Sequence, residues 1–95
     1  MIPENLLLEY GATLEKRDAS EVILSEERRA DFYYQIKTGE VKMYNLNDQG
    51  KEFVQGLFYD GESFGEPPLF ADFKYPASAA AVKLTELYKL SKTKL

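Results

Sequence analysis

Residues 32–59 read Phe32-Tyr33-Tyr34-Gln35-Ile36-Lys37-Thr38-Gly39-Glu40-Val41-Lys42-Met43-Tyr44-Asn45-Leu46-Asn47-Asp48-Gln49-Gly50-Lys51-Glu52-Phe53-Val54-Gln55-Gly56-Leu57-Phe58-Tyr59. Residues 32–37 are rich in aromatic side chains, which suit a pleated, half-buried surface, and Gly39 ends the run. In residues 41–46 the side chains alternate. Val41, Met43 and Asn45 fall on one face of a strand, and Lys42, Tyr44 and Leu46 on the other. Asn47-Asp48-Gln49-Gly50 has turn chemistry, so residues 52–59 return as the hairpin partner. Asp60-Gly61 makes the next turn.

Outward from this hairpin the same grammar continues. Upstream, Glu21-Val22-Ile23-Leu24 is a short apolar run with β-branched residues, and strand signals begin at Ala12. Before that, Pro3 leads and Gly11 closes a short predicted helix, the expected placement of those two residues, with Leu6, Leu7 and Leu8 expected to dock on the domain. Downstream, residues 62–78 are rich in Gly, Pro and small side chains and show no clean period. Residues 67–71 suit one helical turn with proline leading. Residues 77–82 and 85–90 read as two further strands. Short strands with regularly spaced turns predict an all-β sandwich or barrel. Phe32, Tyr33, Phe53, Phe58, Phe64 and Phe70 are expected in its core.

The composition narrows the chemistry. Ninety-five residues argue for one domain, and 44% hydrophobic content supports a core without staples. With no histidine, no imidazole-based triad can form within the chain. With no cysteine either, there is no ordinary structural zinc site and no thiolate-bound iron–sulfur cluster. No metal ligand or catalytic residue is assigned. Glu62 and Glu66, four apart around a glycine, are a weak acid–base signal that a turn explains as well. The expected chain is soluble and cytoplasmic, with no signal peptide and no long apolar run. A net charge of −4 disfavours non-specific nucleic-acid binding by this segment. Lys83, Lys89, Lys92 and Lys94 give a basic end that reads as solvated surface, the alternative being a lead into a further element.

The stretch Gly61-Glu62-Ser63-Phe64-Gly65-Glu66-Pro67-Pro68-Leu69-Phe70, followed by Tyr75-Pro76-Ala77-Ser78-Ala79, resembles the phosphate-binding cassette of the cyclic-nucleotide-binding domain family. The likeness is greatest to the sensor domains of Crp/Fnr-type bacterial transcription regulators. It extends upstream through residues 21–24, 30–31 and 34–42 and the Asp48-Gln49-Gly50-Lys51-Glu52 hairpin, covering most of residues 12–90. The resemblance implies a mainly β fold: a double-stranded β-roll, or jelly roll, with short flanking helices. Residues 1–11 would form the N-terminal helix, residues 12–90 the roll, and residues 61–78 the cassette loop, in one domain spanning residues 1–95. It also implies a long dimerising helix and a DNA-binding domain beyond the roll, both expected to lie outside this chain. The full protein is thus expected to be a homodimer that meets DNA only through that other domain, with no membrane partner.

The family cassette runs Phe-Gly-Glu-x-Ala/Gly-Leu, then Arg-Ser/Thr-Ala. A buried phosphate requires charge and hydrogen-bond donors, and the family supplies a guanidinium fork, backbone N–H groups and a hydroxyl. Here Gly65 and Glu66 keep their places. The arginine position falls on Tyr75. The Ser/Thr position falls on Pro76 and the Ala/Gly position on Pro68, after Pro67, and proline carries no N–H. Ala77 and Ser78 follow. The only arginines are Arg17, Arg28 and Arg29, all upstream, and Lys74 cannot reproduce a bidentate fork. The candidate ligand-binding set is Gly65, Glu66, Pro67, Pro68, Tyr75, Pro76, Ala77 and Ser78, with Phe70 and Phe73 as apolar neighbours. The implied role is an effector-sensing, non-enzymatic domain of a Crp/Fnr-like regulator that does not bind cyclic AMP by the arginine–phosphate mode. No cofactor is assigned; the expectation is either an effector other than a standard cyclic nucleotide or a vestigial site with signalling through protein contact. Two alternatives stand beside it: a ligand-free interaction or dimerisation module, and the regulatory domain of a channel or kinase.

Overall fold

The computed structural model describes residues 2–64, 74–91 and 93. A short helix, α1 (Glu4–Glu9), precedes eight strands: β1 (Thr13–Arg17), β2 (Val22–Leu24), β3 (Phe32–Thr38), β4 (Glu40–Leu46), β5 (Glu52–Tyr59), β6 (Ser63–Phe64), β7 (Ser78–Ala81) and β8 (Thr85–Ser91). They form two four-stranded antiparallel sheets, ordered β1-β8-β3-β6 and β2-β7-β4-β5. This is the mainly β jelly roll expected from the sequence.

The core lies between the sheets. Ile23, Leu24, Tyr34, Ile36, Val41, Phe64, Tyr75 and Leu87 meet there with Ala79 and Ala81, and Phe32, Met43 and Phe58 close its margins. The small alanines of β7 let the second sheet sit close to the aromatic rings of the first. Tyr34 stacks on Phe64 with ring centroids 5.4 Å apart and planes 6° from parallel, in the offset range that favours aromatic pairs. A second cluster lies on the outer side of the first sheet, where α1 packs through Leu7 onto Tyr33, Tyr88 and Leu90. Gln35 on the same side accepts from the Tyr33 hydroxyl at 2.7 Å and from the Ile2 N–H at 3.0 Å, and donates to the Ile2 carbonyl at 2.8 Å. Buried amide groups need such partners, and these tie the N-terminal segment to the roll.

Several expectations are corrected. Of the three leucines in α1 only Leu7 docks; Leu6 and Leu8 stay exposed because a six-residue helix offers one narrow stripe to the sheet. Phe53 is outside the core, 48% exposed on an edge strand and roofed by the Lys51 ammonium. Residues 62–78 are not wholly irregular, since Ser63 and Phe64 pair with Gln35 and Tyr34 as β6. β1 was not legible as a run, being mostly charged and paired to β8 alone.

The turn between β4 and β5 is organised by one side chain. The Asn47 amide oxygen accepts from the backbone N–H groups of Gln49 at 2.9 Å and Lys51 at 2.8 Å, the asparagine-turn pattern. Asn47→Ala is expected to cost about 1 kcal/mol, read as a shifted urea midpoint with an unchanged slope.

Candidate functional site

Residues 74–78 enter β7 and carry the C-terminal part of the resembling cassette. Their path is fixed by backbone pairing with the loop of residues 25–31. The Tyr75 N–H donates to the Arg28 carbonyl at 2.9 Å, and the Tyr75 carbonyl accepts from Glu27 at 3.0 Å. The Ser78 hydroxyl accepts from the Glu26 N–H at 2.9 Å. Tyr75 is 4% exposed, its ring in the inter-sheet core and its hydroxyl donating to the Phe32 carbonyl at 3.2 Å. Burial pushes its pKa up. The residue at the arginine position is therefore a packing residue tied to β3.

Beside this arm lies a cavity of about 340 Å³ lined by Met43 and Asn45 of β4, Gln55, Gly56 and Phe58 of β5, and Pro76 and Ala77. A β-bulge shapes it. Met43 pairs with Gly56 but Tyr44 pairs with Val54, so Gln55 has no register partner. Two successive residues of β5 thus reach the cavity. Gly56 adds room, since a Cβ there would sit 3.4 Å from the Phe58 ring.

The polar rim is specific. Asn45 Nδ2 donates to the Glu26 carboxylate at 2.8 Å and to the Pro76 carbonyl at 2.9 Å. Both amide hydrogens are used, and Glu26 has no ion pair among the described residues. Arg28 and Arg29 line a different cleft, with Val22–Ser25, Asp31, Phe32, Tyr34 and Tyr75. Among the described residues no cation lines the cavity beside Pro76 and Ala77.

Of the residues singled out from the sequence, Pro76 and Ala77 line this cavity, Ser78 stands beside it on Glu26, and Tyr75 faces the core. Gly65, Glu66, Pro67 and Pro68, with Phe70, Phe73 and the helical turn expected at residues 67–71, lie outside the described residues. Glu26, Asn45, Gln55 and Gly56 were missed. Only Asn45 left a sequence signal, as a polar side chain on the face shared with Val41 and Met43.

Tyr34, between the core and the arginine-lined cleft, has its hydroxyl pushed up to about 12 by burial, reinforced by Tyr75 and opposed by Arg17. Below pH 10 it is neutral folded or unfolded; between pH 10 and 12 only the unfolded chain gives up this proton. Stability is therefore expected to fall across that window by roughly 2–3 kcal/mol. Denaturant titrations at pH 9 and pH 12 measure the fall, which Tyr34→Phe should reduce.

The comparisons with known proteins agree with this architecture. An uncharacterised protein of Haemophilus influenzae is 28% identical over 92 residues, covering 94% of this chain and 69% of its own length. The catabolite activator protein of Thermus thermophilus superposes with a TM-score of 0.82 at 28% identity, over 99% of this chain and 45% of that one. The sensor domain of the transcriptional regulator DNR from Pseudomonas aeruginosa gives 0.82 at 27% identity, over 94% and 59%. This chain thus spans about half the length of those two solved regulator chains. No helix among the described residues is long and apolar enough to cross a membrane. The family model for the cyclic nucleotide-binding domain matches residues 14–95, and with the two-sheet roll and the cassette arm in place, the chain belongs to that family and resembles the sensor domains of Crp/Fnr-type regulators.

Proposed function

We propose that this domain senses a small-molecule effector within a Crp/Fnr-type transcription regulator, and does so without the arginine–phosphate contact. The observation that carries the reading is the fate of Tyr75. It occupies the arginine position yet is committed to the core, while an open cavity remains beside the arm. An effector entering there touches β4, β5 and the cassette arm together. It would bias two arrangements of that arm, and through them the DNA-binding domains of a cytoplasmic homodimer. A module without a ligand would be favoured by a cavity filled by Tyr75 or Phe70; Tyr75 lines the other cleft, and Phe70 lies outside the described residues. The domain binds and does not catalyse. Glu62, one of the two glutamates with acid–base potential, accepts from the Tyr59 N–H at 2.8 Å within its own turn.

Native mass spectrometry on protein purified from its host under non-denaturing conditions tests the reading. The expected result is an added mass below about 500 Da, a size compatible with a cavity at the small end of ligand sites, which disappears on denaturation. A bare chain mass under every growth condition would favour the interaction module.

A further inference from the structure

Among the described residues the cavity's lining is apolar except for two amides, and the Glu26 carboxylate, itself outside the lining, is hydrogen-bonded to one of them. Met43, Phe58, Pro76 and Ala77 offer apolar surface, Gly56 leaves space against the Phe58 ring, and Gln55 and Asn45 supply polar edges. Asn45 has both amide hydrogens engaged, on Glu26 and on the Pro76 carbonyl. What it leaves for a ligand is its carbonyl oxygen, an acceptor. Glu26 is held at the rim from two directions, its backbone N–H on Ser78 and its carboxylate on Asn45. An anion beside Asn45 would stand near the Glu26 carboxylate that Asn45 holds, and like charges repel. A cation or a neutral donor would face acceptors.

We propose that Glu26 and Asn45, which lie outside the cassette, set the ligand specificity of this cavity, selecting a neutral or cationic planar apolar molecule and rejecting anions. This rests on reading the cavity as the sensor's ligand site, but it is separable from that reading. Glu26 is the specificity-determining group. Asn45 positions it and presents one acceptor, and the Met43–Phe58–Ala77 surface takes the apolar body of the ligand.

A charge series on one scaffold tests this: indole, tryptamine and indole-3-acetate, titrated into the 15N-labelled protein while the amide signals of Gly56 and Ala77 are followed. Tryptamine and indole should shift both signals and bind at least about tenfold more tightly than indole-3-acetate. Glu26→Gln keeps the hydrogen bond from Asn45 and removes the charge. It should reduce the preference for tryptamine over indole-3-acetate to within about threefold, with the melting temperature checked alongside. Indole-3-acetate binding the wild type as tightly as tryptamine overturns the charge selection while leaving the sensor cavity standing. If none of the three shifts Gly56 or Ala77, both the selection and the cavity's role as a ligand site fall. A preference that survives Glu26→Gln unchanged overturns the assignment of Glu26.

Discussion

Gly39→Ala is expected to lower stability by about 3–5 kcal/mol, the sum of backbone strain and overpacking at one position. Gly39 joins β3 to β4 and has φ of +127°, a conformation side-chain-bearing residues rarely adopt. A Cβ there would stand 2.7 Å from the Thr85 Cα and closer still to its hydroxyl oxygen. Thr85 cannot yield. It is fully buried, its hydroxyl donates to the Lys83 carbonyl at 2.8 Å, and it also meets the Glu40 backbone at 3.2 Å. The Gly39 N–H is meanwhile held by the Asp60 carboxylate at 2.8 Å. One glycine thus locks three connections: β3 to β4, the start of β8, and the turn after β5. For a domain of this size the loss corresponds to a fall of about 15–30 °C in melting temperature. Circular dichroism melts measure it. A fall under 5 °C would show that the β3–β4 corner relaxes, and that the close approach to Thr85 is not a constraint.

Gly39 also shows what the sequence does and does not reveal. Its role as punctuation between two strands is visible because the residues on either side alternate in strand fashion. The longest strands announce themselves by composition: β3 by its aromatics, β4 and β5 by the asparagine turn between them, β8 by Leu87 and Leu90. The elements that escape are those held by partners rather than by their own pattern. β1 is Thr-Leu-Glu-Lys-Arg, an edge strand whose only anchor is β8. Its charged residues pair with near neighbours, as in Arg17 with Glu15 and Glu21. β6 is two residues long and exists because Phe64 stacks on Tyr34. The site divides the same way. The cassette arm is legible as a motif, and its Pro76 and Ala77 line the cavity. The bulge at Gln55 and the Glu26–Asn45 contact arise from register and from a separation of 19 residues, which no local pattern encodes. Tyr75 was legible as a missing arginine, but the Phe32 carbonyl as the partner of its hydroxyl was not.

Cyclic AMP and cyclic GMP are expected to bind this domain no more tightly than the millimolar range. The physical argument is a count of missing donors. The guanidinium fork is replaced by Tyr75, whose hydroxyl is engaged on Phe32. Pro76 brings neither an N–H nor a hydroxyl, and Pro68 brings no N–H. Each charge-assisted hydrogen bond contributes about 1.5–3 kcal/mol. Two or three lost together weaken binding by about a hundredfold at the least and by more than a millionfold at the most relative to a domain that has them. The Glu26 carboxylate at the rim of the cavity adds repulsion rather than compensation. Isothermal titration calorimetry with either nucleotide up to several millimolar should give no saturable heat below that range, and a micromolar dissociation constant would overturn the count. Restoring the arginine is not expected to rescue binding. Tyr75→Arg would place a guanidinium among Ile23, Leu24 and Tyr34 and remove the hydroxyl from Phe32. Asp31 lines the cleft beside Tyr75, but desolvating a guanidinium in the core still costs several kcal/mol, so this variant should lose stability while remaining blind to cyclic AMP. Full stability together with micromolar cyclic AMP binding in Tyr75→Arg would mean that the side chain at this position turns outward to the cavity. The domain would then be one substitution away from the nucleotide mode. The packing of Tyr75 predicts instead that the nucleotide mode is blocked from within the core of the roll.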